Sequence, residues 1–221
     1  MERDKERGVT AVLDIHQWME QYTVAVREVF GERVRFIGLQ GSRGRGEAKE
    51  ASDIDVVLIL DRLDAEDLNI YRSAVEALPE RALLCGFVCG WPELVRWEKS
   101  DLLSLLLDTK PICGDLSGLL ETISEEDFRR AVLSGACGVY HACVHNLLHE
   151  RDLDLLKALY KSAFFTIRTR YFAQTGTYLA ARKDLLEAVE TAEREILLCQ
   201  AEELEADSRR LLDWSKSLID E

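Results

Sequence analysis

The chain has 221 residues and a mass of 25.2 kDa, enough for one good core or two small ones, since domains commonly run to about 100–150 residues. Hydrophobic residues make up 47% and charged residues 31%, with only three prolines, the composition of an ordinary globular chain rather than a disordered one. Its 28 basic against 41 acidic side chains leave a net charge of −13, which argues against nucleic acid as a partner because a phosphate backbone is repelled unless basic groups gather locally.

No apolar run approaches the roughly 20 residues of a bilayer span, and Met1-Glu2-Arg3-Asp4-Lys5 is charged where a signal peptide needs an apolar stretch. A cytoplasmic location with no membrane partner is therefore expected. Cys85, Cys89, Cys113, Cys137, Cys143 and Cys199 form no Cys-x-x-Cys pair, so neither a zinc ribbon nor a redox motif is written, and most are expected to be reduced core residues.

In chain order, Ala11–Phe30 carries Val12, Ile15, Met19, Val26 and Val29 at roughly helical spacing and stops at Gly31. Val34–Leu39 is a short apolar run closed by Gly41, and Ile54–Leu60 is almost wholly branched aliphatic, the pattern of a strand covered on both faces. Ala65–Leu78 reads as a helix before Pro79, Ala82–Val88 as a third strand, Pro92–Leu107 as a helix with proline in its first turn, and Lys110–Cys113 as a short edge strand. From Glu125 onward the signals are purely helical, interrupted at Arg151-Asp152 and Gly176-Thr177. The expected fold class is α+β: a small mixed β-sheet domain over residues 1–118, then an all-α bundle of four or five helices over 119–221, with the boundary between Asp115 and Glu125.

The chemistry concentrates in Gly38–Leu60. A strand running into Gly41-Ser42 brings backbone close to a ligand, because glycine lacks a side chain and the following amides can point at phosphate oxygens. Ser42 adds a hydroxyl, and Arg43 and Arg45 form a local positive patch in an acidic chain. Asp53 and Asp55 alternate across Ile54 at a strand start, so their carboxylates leave the same face. Magnesium takes one or two carboxylates completed by water and substrate phosphates, and this pair could supply them. Alone, a glycine turn or an Asp-x-Asp strand start is more often merely structural.

In combination, Gly41-Ser42, Gly46 and Ser52-Asp53-Ile54-Asp55 before an aliphatic strand resemble the signature of the DNA polymerase beta-like nucleotidyltransferase superfamily. The similarity is greatest to its kanamycin-type and minimal branch, in which a helical bundle follows the sheet domain. The resemblance implies transfer of a nucleoside monophosphate from a nucleoside triphosphate, ATP by expectation, to a hydroxyl of a small molecule or protein. It further implies that Gly41 and Ser42 hold the triphosphate, with Arg43, Arg45 and Ser52 beside them, and that Asp53 and Asp55 coordinate Mg2+ and act in catalysis.

The family's third carboxylate, on a later strand, usually activates the acceptor. Here the matching strand, Ala82–Gly90, has no acidic residue. Glu93 is the nearest candidate, although a carboxylate in a first helical turn also serves the helix dipole. The gap leaves open a base from the helical half or from a second subunit, as in a homodimer, a one-metal reaction, or a catalytically weak protein that binds nucleotide or a partner.

His141, His145 and His149 recur every four residues, a spacing that permits metal binding but reads better as a packing face. None of the four histidines follows an arginine at the spacing of the HEPN-class ribonuclease motif. Lys161, Arg168, Arg170, Arg182 and Lys183 read as a solvated helix face that could reach a triphosphate. Tyr160, Phe164, Phe165, Tyr171 and Phe172 read as bundle core.

Overall fold

The computed structural model describes residues 13–221; the expected helix start at Ala11 and the charged Met1–Lys5 segment lie outside them. Two compact units emerge: residues 13–94 with 109–115, and 95–108 with 116–221.

The first unit holds a four-stranded sheet in the order β3-β2-β1-β4. Helix α1 (Ile15–Phe30) leads to β1 (Val34–Leu39), the five-residue α2 (Gly41–Arg45) and β2 (Ile54–Leu60). After α3 (Ala65–Val75) come β3 (Leu84–Gly90), the short α4 (Trp91–Leu94) and, later in the chain, β4 (Lys110–Cys113). Strand β1 pairs antiparallel with β2 and β4, whereas β2 pairs parallel with β3. The sheet is therefore mixed, as expected.

Alternation along the strands divides its faces. Ile37, Leu39, Ile54, Val56, Leu58 and Leu60 form one buried cluster with Trp18, Met19, Tyr22, Val26 and Phe30 of α1 and Val75 of α3. Each such side chain, fully buried, is worth about 1.5–3 kcal/mol, so this face anchors β2 in register. Polar groups inside it are paired: the Trp18 indole donates to the Pro79 carbonyl at 2.7 Å, and the Tyr22 and Tyr71 hydroxyls meet at 3.2 Å. Asp55, Val57 and Ile59 fall on the opposite face by the same alternation.

The second unit is helical: α5 (Lys99–Asp108), α6 (Ser117–Leu120), α7 (Glu125–His145), α8 (Leu153–Thr175), α9 (Arg182–Ala188), α10 (Thr191–Leu198) and α11 (Leu204–Ile219). Its core is built from α7, α8 and α11, with Ala136, Val139, Cys143, Leu156, Tyr160, Phe164, Ile167 and Leu211 among the buried residues. The single helix expected over Pro92–Leu107 is broken between α4 and α5, where the Glu98 carboxylate accepts from the Asp101 amide at 3.1 Å and caps α5.

Helix α7 runs on through a π-helical turn, Asn146–Glu150. Buried Asn146 then clamps the α7–α8 corner, donating to the Asp152 carbonyl and accepting from the Asp152 amide, both at 2.9 Å. The continuous helix Glu125–Glu150 is long and apolar enough, by length and composition alone, to cross a membrane. This corrects the expectation of no such run: residues 131–148 carry no Asp, Glu, Lys or Arg, and Ser, Gly, His and Asn dilute the apolarity without adding charge. Its Ala136, Val139 and Cys143 face is buried in the bundle core.

Candidate functional site

The sheet ladder extends into the motif, for the Gln40 amide donates to the Asp55 carbonyl at 2.7 Å. Gly41 then turns with φ +66°, the left-handed region that favours glycine. A Cβ at this position would stand 1.9 Å from Asp55 Oδ2. Glycine is thus required twice, by its dihedral angle and by the carboxylate seated against it. The amides of Ser42 and Arg43 open the helical turn of α2, where no intrahelical carbonyl can reach them. Gly46, at φ +77°, ends that turn.

Asp55 is half-buried in β2, and Asp53 is exposed just ahead of the strand. Asp53 directly precedes the strand that carries Asp55, and of the two carboxylates it is that of Asp55 that lies against Gly41.

Both arginines expected to flank a triphosphate are engaged within the protein. The Arg43 guanidinium donates to the carbonyls of Ser52 (2.8 and 3.1 Å), Asp53 (3.2 Å) and Glu50 (3.3 Å). Arg45, its side chain only 8% exposed, pairs through Nε with Glu47 at 3.1 Å. Ser52 also has a local partner, its hydroxyl accepting from the Lys49 amide at 2.8 Å. These three residues shape the loop between α2 and β2, a role that the spacing of charges alone did not signal.

Glu93 does not stand with the two aspartates. Asp55 pairs with Cys85 and Leu60 with Gly90, so Glu93, beyond Gly90, lies past the other end of the β2–β3 pair. Five residues of strand separate these ends, about 16 Å at 3.3 Å per residue. Its carboxylate folds back over Gly90, where an added Cβ would lie 2.3 Å from Oε2. Burial pushes the Cys89 thiol pKa up and the nearby Glu93 charge adds to it, which again puts Glu93 at that far end. The side chain beside Asp55 on β3 is the exposed thiol of Cys85. Sequence reasoning passed over Cys85 because only the parallel register reveals which residue of β3 faces Asp55. Gly86 helps to set that register: at φ +135° it lies so close to β2 that a Cβ would fall 2.0 Å from the Val56 carbonyl oxygen.

Within the helical unit the expected packing face of histidines is not formed. His141, His145 and His149 are exposed, because the buried stripe of α7 runs through Ala136, Val139 and Cys143 instead. His145 pairs with Glu150 at 3.3 Å, and its ring centroid is 4.9 Å from that of His149. The expected solvated basic face is also corrected. Arg168 is 3% exposed and bonded to Asp108 at 2.8 Å, with Phe164, Phe165 and Tyr178 rings around its guanidinium. Arg170 pairs with Glu193 and Glu221, and Arg182 donates to the Leu197 carbonyl; Lys161 and Lys183 remain exposed. Tyr160 and Phe164 lie in the core, with Phe165 and Tyr171 packed against it.

Comparison with known proteins bears on the first unit most directly. Residues 21–121 match the family model described as the nucleotidyltransferase domain. No curated protein matches the chain significantly. Among solved structures, the fold is similar to that of the spectinomycin adenyltransferase AAD(9) from Enterococcus faecialis, determined with ATP and spectinomycin. The TM-score is 0.57 at 14% identity, over 93% of this chain and 99% of that one. The matched segment contains the Gly41-Ser42 turn, Asp53 and Asp55, so it is residues 21–121 that carry the similarity to the nucleotidyltransferase domain.

Proposed function

We propose that the chain transfers a nucleoside monophosphate from a magnesium-bound nucleoside triphosphate, with ATP the expected donor, to a hydroxyl of a small molecule. One observation carries this reading: the Asp55 carboxylate rests against Gly41 in a space that any larger residue would fill. That contact joins a metal ligand and a phosphate-facing turn in one rigid unit. The similar adenyltransferase was solved with ATP and a small molecule, which supports both the donor and the acceptor class.

The residues suit the chemistry. Amides of the Gly41-Ser42 turn and the Ser42 hydroxyl face the phosphates, while Asp53 and Asp55 offer hard oxygen donors of the kind magnesium takes. Among the described residues no group of three or more His, Cys, Asp or Glu side chains is placed to hold a metal. Magnesium here would therefore complete its shell from water and the phosphates. Bound there, the ion would offset phosphate charge. In the transfer, the acceptor oxygen bonds to the α-phosphorus, the bond to pyrophosphate breaks, and the hydroxyl proton passes to a base.

Calorimetric titration with each of the four nucleoside triphosphates, with and without magnesium, tests the reading. Magnesium-dependent binding that disappears in an Asp53→Ala/Asp55→Ala variant is expected. Equal binding by both proteins would refute the site.

A second reading is nucleotide binding without efficient transfer. Cys85 favours it, since the side chain beside Asp55 on β3 is a thiol and not a carboxylate. Sustained pyrophosphate release coupled to a labelled acceptor would exclude this alternative.

A further inference from the structure

The two aspartates are fixed by different devices. Asp55 belongs to the β2 ladder, its carbonyl bonded to Gln40 and its carboxylate seated on Gly41. Asp53 precedes the strand and is exposed, so no ladder holds it. What holds its backbone is Arg43. From α2 the guanidinium reaches across to three carbonyls of the Glu50–Asp53 segment through four hydrogen bonds. The same segment is closed at its other side by Ser52, whose amide donates to the Lys49 carbonyl at 3.0 Å and whose hydroxyl accepts from the Lys49 amide.

We infer that Arg43 is a positioning residue for the metal: it sets Asp53 beside Asp55 by bracing the loop, and it is not a phosphate ligand. The inference rests on the nucleotide site proposed above and adds how that site is assembled. Nε and Nη2 are both directed at carbonyls, and Nε and Nη2 each serve two acceptors. A planar fork suits several fixed acceptors at once, whereas a lysine ammonium is a point charge on a flexible stem. Charge alone therefore does not replace it.

This separates two roles. If Arg43 contacted phosphate, Arg43→Lys would keep most function and Arg43→Met would lose it. If Arg43 is a brace, the two variants behave alike. Two measurements decide. Amide hydrogen exchange across Lys49–Asp53, in the full chain without nucleotide, should quicken about tenfold or more in both variants. Calorimetry with ATP should show the magnesium concentration for half-maximal binding rising about tenfold in both, while metal-free ATP binding stays at the wild-type value.

Wild-type exchange in Arg43→Lys would overturn the brace. So would quickened exchange with an unchanged magnesium requirement, since Asp53 would then be placed by something else. Loss of metal-free ATP binding in Arg43→Met alone would assign Arg43 to the phosphates. Absence of nucleotide binding in the wild type would instead sink the proposed site, and the exchange arm would still decide whether Arg43 braces the loop.

Discussion

Gly41→Ala puts the link between turn and carboxylate to its most direct test. Two effects act together. At φ +66° an alanine pays the left-handed penalty of about 1–2 kcal/mol. The new Cβ would also lie 1.9 Å from Asp55 Oδ2, well inside the 3.0 Å that real Cβ contacts respect. The carboxylate must retreat by about 1 Å or more, and misplacement on that scale costs roughly a hundredfold in function. Magnesium-ATP affinity should therefore fall about a hundredfold, or about 2.7 kcal/mol, with a further 1–2 kcal/mol or so lost from stability. Calorimetry reads the first and chemical denaturation the second. Gly138→Ala is the control, since nothing lies within 4 Å of its added Cβ and its φ is not positive. A double variant with Asp55→Ala separates the causes, for it removes the carboxylate clash and leaves the dihedral cost with only the residue-55 Cβ, at 3.3 Å, still close. Gly41→Ala binding magnesium-ATP within threefold of wild type would refute the reasoning. So would a stability loss undiminished in the double variant if it exceeds the dihedral cost.

Two further outcomes are expected. Cys85→Asp places a carboxylate beside Asp55 on the same face, and pyrophosphate release with a reactive acceptor should rise about a hundredfold or more, the range of a positioned general base; an unchanged rate would mean that the base comes from elsewhere. Asp67, held by Arg33 through two bonds of 2.8 and 2.9 Å, has a carboxyl pKa well below the usual carboxylate range. Because its folded pKa lies below the unfolded value of about 3.9, its contribution is present above pH 4 and fades as pH falls further. Urea denaturation of Asp67→Asn should show lower stability than wild type at pH 7 and convergence toward pH 2. A constant gap across that range would contradict the assignment.

Much of the first unit was legible because its signals are local. Val34–Leu39, Ile54–Leu60 and Lys110–Cys113 are strands with the expected bounds; for Ile54–Leu60 a dense run of branched aliphatics leaves little choice. In the helical half, Arg151-Asp152 and Gly176 interrupt the chain as expected: Arg151 takes φ +53°, Asp152 caps α8, and Gly176 closes it in the left-handed region. Other features depend on partners distant in sequence. Arg168 reads as a surface cation until Asp108, sixty residues away, is found against it. Glu98 gives no ordinary cap signal, yet its carboxylate starts α5.

The candidate site divides the same way, and the division has a functional consequence. Gly41, Ser42, Asp53 and Asp55 were legible because a turn and a strand start are contiguous features with strict steric demands. The residue at the third-carboxylate position was not, because it depends on which β3 residue faces Asp55. Register answers with Cys85 and removes Glu93 to the far end of the sheet. On the proposed reading, binding and deprotonation fall to separate strands: β1, α2 and β2 carry the residues assigned to nucleotide and metal, whereas β3 carries the position beside Asp55 where a base would act. A substitution on β3 can alter turnover while the steric fit of Gly41 against Asp55 stays intact. Nucleotide affinity and transfer rate in this chain are accordingly expected to respond to different substitutions, and measuring magnesium-ATP affinity beside pyrophosphate release in the Cys85→Asp variant checks this.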